Sequence, residues 1–209
     1  MNKKEFPAKI ILNILIVLLC AIGTAAMLRG KPEEASLTAS GIENFKFYTV
    51  LTNVFLGIAS LIDLVFCFRK QSPSWLIPVR LAGVCGVTIT FAVVAFFFGP
   101  LYGFPQFYKG GNLYFHLLEP IAAIVEFIAV KRGTITFRHT VIAAVPTLIY
   151  GCGYLGNILI NGIGGPWPDT NDFYGFVNWG YPVGVLIFIS ITLIAFGTAC
   201  IFRKINNRT

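Results

Sequence analysis

The sequence predicts an all-α integral membrane protein, a single domain over residues 1–209 built as a bundle of six transmembrane helices. Three observations predict it. Of 209 residues, 56% are hydrophobic and 12% charged, with a mean hydropathy of +0.76, whereas soluble domains carry about 25% charged residues. No Asp, Glu, Lys or Arg occurs between Arg80 and Lys109, between Arg138 and Asp169, or between Asp172 and Arg203. The basic residues gather at alternate joints between the apolar stretches.

A bilayer core takes about 20 apolar residues per helix, and six windows fit: 10–27, 45–68, 76–98, 113–130, 140–162 and 181–202. The first follows Lys3, Lys4 and Lys9 and ends at Arg29-Gly30-Lys31-Pro32. Ser72-Pro73-Ser74 separates the second from the third. Gly99-Pro100, with Gly103 and Pro105, ends the third, and Lys131-Arg132-Gly133 ends the fourth. A long segment from Gly162 to Gly180 leads from the fifth to the sixth. Gly, Pro and charge break helices at a membrane surface. Unalternating runs such as Ile10-Ile11-Leu12 and Phe96-Phe97-Phe98 argue against a barrel. Lys3 to Ala26 also has the makings of a signal peptide, with Gly23-Thr24-Ala25-Ala26 near the cleavage point; it is read here as a retained span.

Twelve of the sixteen basic residues flank the N-terminus, the even-numbered joints or the C-terminus, leaving Arg29, Lys31, Lys46 and Lys109 opposite. Basic flanks stay cytoplasmic, so both termini are expected inside. The net charge of +7 then reflects topology and calls for no nucleic-acid partner. Cys20, Cys67, Cys85, Cys152 and Cys200 all fall within spans without metal-ligand spacing, as apolar packing residues do.

Function should show in the polar content of the spans, because an ionisable group at the bilayer centre costs roughly 2.5–3.5 kcal/mol on insertion scales. At helical spacing, Thr49, Thr52 and Asn53 share a face of span two, which also carries Asp63. His116, Glu119 and Glu126 share one on span four, and Tyr150, Tyr154, Asn157 and Asn161 one on span five. The three stripes are expected to face each other. Thr49 and His116 each lie about one turn below the same end of their spans, at similar depth by the 1.5 Å rise. A hydroxyl and an imidazole at equal depth suit a nucleophile and its base. Glu119 would orient His116 as the third member of a triad does. Asn53 or Asn157 would donate to an oxyanion, with Thr52 and Tyr150 as supporting groups.

These motifs resemble a known family. Phe45-Lys46-Phe47-Tyr48-Thr49-Val50-Leu51-Thr52-Asn53 and His116-Leu117-Leu118-Glu119-Pro120 look like those of the androgen-induced and androgen-dependent membrane threonine hydrolases, and more closely their small bacterial relatives. Pro146, Tyr150 and Gly151, then Trp167-Pro168 to Phe176, extend the similarity over most of the chain. The histidine stands four residues before Pro120, one fewer than in the animal enzymes. The resemblance implies six spans, Thr49 as nucleophile and His116 as base, and fatty-acid esters of hydroxy fatty acids as the substrate class.

The expected activity is therefore hydrolysis of a lipid or fatty-acid ester within a membrane, with no cofactor and no metal, and the short loops favour a bacterial plasma membrane. Phe91, Phe96, Phe97, Phe98 and Phe115 would line an acyl-chain site. Two alternatives remain open. In a proton-coupled carrier, Asp63, His116, Glu119 and Glu126 would form a path through the bundle, although no internal repeat of the carrier kind is visible. In a metal hydrolase His116, Glu119 and Asp63 would be ligands, with one histidine fewer than catalytic zinc usually takes.

Overall fold

Prolines and capping groups decide where these helices bend and begin. A computed structural model of the chain describes residues 5–29, 41–166 and 169–208. Lys3, Lys4, Gly30-Lys31-Pro32 and Trp167-Pro168 lie outside the described residues. Among those described, six helices are long and apolar enough to cross a membrane: α1 (Phe6–Arg29, with its first turn reaching back to Glu5), α2 (Tyr48–Phe68), α3 (Leu76–Tyr102), α4 (Gly110–Ala129), α5 (Phe137–Asn161) and α6 (Tyr181–Arg208). No strand accompanies them, only an isolated bridge between Gly164 and Thr170. This is a multi-pass helical membrane protein.

The windows hold with corrections at their ends, the longest at α6, which runs on to Arg208. Helix α1 starts about a turn earlier than expected, so Lys9 lies inside it. Helix α2 starts later, at Tyr48, because Gly41–Lys46 forms a 3₁₀ turn. The Asn44 amide fastens that turn by donating to Met27 O (3.1 Å) and Gly41 O (3.2 Å). Helix α5 starts at Phe137, where Thr136 and His139 form a reciprocal cap. Helix α3 does not stop before Gly99-Pro100; it continues to Tyr102.

Both Pro100 in α3 and Pro120 in α4 are met by the same device. A proline lacks the N–H that an α-helix needs and its ring crowds the carbonyl four residues back. The carbonyls at risk belong to Phe96 and His116. Each sits in a widened π-turn, Val94–Phe98 before Pro100 and Tyr114–Leu118 before Pro120. A π-turn holds one extra residue, so the helix beyond it is rotated by about 100° relative to a straight one.

Small residues bring the helices together. A Cβ at Gly57 would collide with the Cys20 side chain of α1, and one at Gly86 would lie 2.7 Å from Thr52 Cγ2 of α2. Helices in lipid associate through such close packing. The core holds Ile16, Leu56, Leu81, Val84, Phe127 and Phe202. The outward face is apolar as well: Ile160 is 84% and Phe96 77% exposed, a surface matched to hydrocarbon.

At one end of the bundle the chain buries an ionic cluster that sequence spacing did not reveal. Lys9 Nζ lies 2.7 Å from Asp63 Oδ1, and Arg80 Nη2 lies 2.7 Å from Glu126 Oε2. Arg132 also pairs with Glu126 and comes within 3.8 Å of Asp63. Asn13 donates to Glu126 Oε1 at 3.2 Å, and Arg80 bonds Ser60. Lys9, Arg80 and Arg132 were counted as flanking charges; they are ties between α1, α2, α3 and the segment after α4. Asp63 and Glu126, candidates for a proton path, are their counter-ions. Asp63 is thereby held by Lys9 rather than gathered with His116 and Glu119 around a metal.

Candidate active site

At the other end of the bundle, the polar residues border a cavity of about 480 Å³. Thr49 is the second residue of α2, fourteen residues from Asp63 and so roughly 20 Å from the ionic cluster. His116 enters from the π-turn of α4. Thr49 and His116 line the same cavity, together with Asn112, Tyr48, Tyr150 and Thr147. Ile89, Val93, Val94, Phe98, Phe188 and Ile191 make much of the remaining lining apolar. Of the phenylalanines expected there, only Phe98 lines it. Phe115 is fully buried in a neighbouring cluster with Met27, Phe47 and Val50, whereas Phe96 and Phe97 point outward.

The partner of His116 is not Glu119. Nδ1 of His116 lies 3.0 Å from Phe107 O. A carbonyl oxygen only accepts, so in the neutral ring Nδ1 carries the hydrogen and Nε2 keeps a lone pair. Phe107 belongs to the 3₁₀ turn Phe104–Phe107, which folds back so that its ring meets the imidazole edge-on at 6.2 Å. Glu119 is fully buried and neither of its carboxylate oxygens has a hydrogen-bond partner among the described residues. It faces the α1–α2 seam, 3.9 Å from where a Cβ on Gly57 would stand. The extra residue of the π-turn breaks the i, i+3 relation that a straight helix would give His116 and Glu119.

The other expected donors are also placed differently. Both hydrogens of the Asn53 amide are taken, by Thr49 O (2.8 Å) and Phe115 O (3.1 Å). Thr52 donates to Tyr48 O at 2.9 Å. Neither borders the cavity, so neither meets an oxyanion there. Asn157 is exposed, donates to Asn171 Oδ1 at 3.0 Å and accepts from Asn161; the lower half of the span-five stripe ties down a loop instead of facing the other two. Tyr150 does border the cavity, donating to Lys46 O at 2.8 Å. Thr49 Oγ1 has no hydrogen bond among the described residues and is open to the cavity.

The segment after α5 supplies a wall. Phe173, Tyr174 and Phe176 line the cavity, held there by Asp172. That buried carboxylate accepts from Tyr154 OH (2.5 Å), Phe176 N (2.9 Å) and Val177 N (3.1 Å). Tyr48 N donates to the Tyr174 oxygen at 2.9 Å. Burial pushes the Tyr174 hydroxyl up to about 12, so it stays a neutral donor. Tyr174 thus clasps the loop, and Tyr150 clasps α5, to the residues immediately before Thr49. A single buried Asp among aromatics, in Asp172-Phe173-Tyr174-Gly175-Phe176, was the available signal for this wall.

The fold and the site define a polytopic helical membrane protein with an amphipathic cavity near one membrane face, bordered by an oriented imidazole and a threonine hydroxyl without a partner among the described residues. No protein-family model matches the chain, and neither a curated protein nor a solved structure matches it.

Proposed function

We propose that this protein hydrolyses lipid esters within the membrane, with Thr49 as nucleophile and His116 as general base. One observation carries the proposal: Thr49, whose hydroxyl has no hydrogen bond among the described residues, and His116, with Nδ1 held by Phe107 O, border one cavity whose lining is otherwise largely apolar. The motifs around both residues, like those of the membrane threonine hydrolases, support the same chemistry and favour fatty-acid esters as substrates.

The steps follow from the orientation of the imidazole. His116 Nε2 takes the Thr49 proton as Oγ1 attacks the ester carbonyl carbon, whose π electrons move onto oxygen. The tetrahedral intermediate collapses, its C–O bond breaks, and the leaving alkoxide takes the proton back from His116. Water, deprotonated by the same nitrogen, then attacks the acyl-threonine, releasing the acid and restoring Thr49. The acyl chain would lie along Val93, Val94, Phe98 and Ile191.

The basic residues outside the ionic cluster support an orientation with both termini in the cytoplasm. The cavity then opens towards the outer leaflet, and the short loops fit a bacterial plasma membrane.

The test is covalent labelling of the purified protein by a fluorophosphonate, with mass spectrometry to locate the adduct. The expected result is an adduct on Thr49, absent in Thr49→Ala and strongly reduced in His116→Ala. Folded wild type that acquires no adduct would put a proton-coupled carrier first, to be assayed by uptake into liposomes with and without Glu119.

A further inference from the structure

An acyl-transfer site needs a donor for the oxygen that becomes negative, because such a donor acts where charge develops in the transition state. The amide expected to serve, Asn53, has no hydrogen left to give. Among the polar side chains that border the cavity, most are engaged as well. Asn44 donates to two carbonyls, Thr90 donates to Gly86 O, and Tyr150 donates to Lys46 O. Tyr48 and Thr147 bond each other at 2.8 Å.

Asn112 differs from all of these. It lies in the first turn of α4, four residues before His116. It borders the cavity and is only 7% exposed. Its backbone N–H goes to Lys109 O, whereas its side-chain amide has no hydrogen bond among the described residues. Although the residue is buried as a whole, its amide atoms are not sealed from solvent, so the group stands open to the cavity, ready for a partner that the fold itself does not supply. A Cβ on the neighbouring Gly111 would lie 2.6 Å from Met27 Cγ of α1, and this close approach fixes the turn that carries Asn112.

Resting on the acyl-transfer reading of the cavity, we propose that Asn112 Nδ2 donates a hydrogen bond to the carbonyl oxygen of the bound acyl group. Thr49 Oγ1, His116 Nε2 and Asn112 Nδ2 are then the nucleophile, the base and the oxyanion donor. The bond strengthens as the carbonyl π electrons move onto oxygen, and no proton leaves the amide. The ligand class is an acyl compound with one carbonyl beside a long apolar chain.

Two measurements on the full-length protein separate this inference from the hydrolase reading. In a Thr49→Ala background, where no ester is cleaved, the methyl ketone undecanone labelled with carbon-13 at its carbonyl is bound and its stretching frequency recorded. The expected result is a frequency below that in detergent alone, restored to the detergent value by Asn112→Ala. Asn112→Leu, of nearly the same volume, gives the same answer should the alanine variant fail to fold. Equal frequencies with and without Asn112, or no bound ketone, overturn the proposal. The second measurement is hydrolysis of p-nitrophenyl octanoate: Asn112→Ala should lower kcat about 10²–10³-fold with KM little changed, and Asn112→Gln should recover part of the loss. An unchanged kcat overturns the proposal. A lowered ketone frequency in a protein that cleaves no ester would reject the hydrolase reading and retain Asn112 as a carbonyl donor.

Discussion

His116 is oriented by the main chain of Phe107, whose carbonyl lies 3.0 Å from its Nδ1. The turn that brings this carbonyl into place, Phe104–Phe107, follows Gly103 at φ +91°, a conformation that favours glycine. Gly103→Ala should therefore displace the imidazole, together with Gln106 and Phe107 of the cavity lining. Fluorophosphonate labelling should slow about 10²–10³-fold, near the loss of His116 itself, since positioned general bases contribute 10²–10⁴. Unaltered labelling would show that Phe107 does not orient the base.

Glu119 is one turn from His116 in sequence but faces α1 and α2. Glu119→Gln should leave Thr49 labelling unchanged. A loss comparable to that of His116→Ala would restore the triad that its spacing first suggested.

The ionic cluster ties four elements, and removing one member leaves a buried charge without its counter-ion. Glu126→Gln strands Arg80 and Arg132 and should cost about 3–5 kcal/mol, read as a lower melting temperature in detergent. Arg80→Met combined with Glu126→Met should recover much of that loss, because the charges leave together. The cavity is roughly 20 Å away by helical rise, so surviving protein should label normally.

Asp172 satisfies three donors in the loop that walls the cavity. Asp172→Ala leaves Tyr154 OH and two backbone N–H groups unpaired, a penalty of about 1–3 kcal/mol. Limited proteolysis should then cut between residues 162 and 180 in the variant but not in wild type, and KM for a long-chain ester should rise.

The Tyr174 clasp sets an alkaline limit on the same loop. The folded protein holds this phenol protonated up to about 12 against an ordinary value of 10.0. Its contribution is thus complete below pH 10 and lost as pH climbs towards 12. Tyr174→Phe should remove that transition from the pH dependence of loop proteolysis, and an identical profile would assign the transition elsewhere.

Number and rough limits of the spans were legible because they depend on composition alone: a stretch of about 20 apolar residues must be helical in lipid whatever its neighbours are. That Thr49 and His116 lie at a similar level, where both border one cavity, was legible too, since depth comes from counting 1.5 Å per residue from a helix end. Which way a side chain points is another matter. The 3.6-residue period used to group His116 with Glu119 fails across the π-turn that precedes Pro120, and only the folded helix displays that rotation. Lys9, Arg80 and Arg132 look like ordinary flanking charges in the sequence, because their burial depends on Asp63 and Glu126 arriving from other helices. Asn53 is an amide that the sequence spacing points to, whereas Asn112 stands just before the expected fourth span. What distinguishes them is whether two carbonyls stand within reach, and for Asn53 one of these belongs to Phe115, 62 residues away in the chain. The sequence by itself thus determined the class of the protein and the depth of its polar groups. Tertiary structure decided which of those groups are tied to one another and which stay open to a ligand, because hydrogen-bond commitment depends on contacts between distant segments.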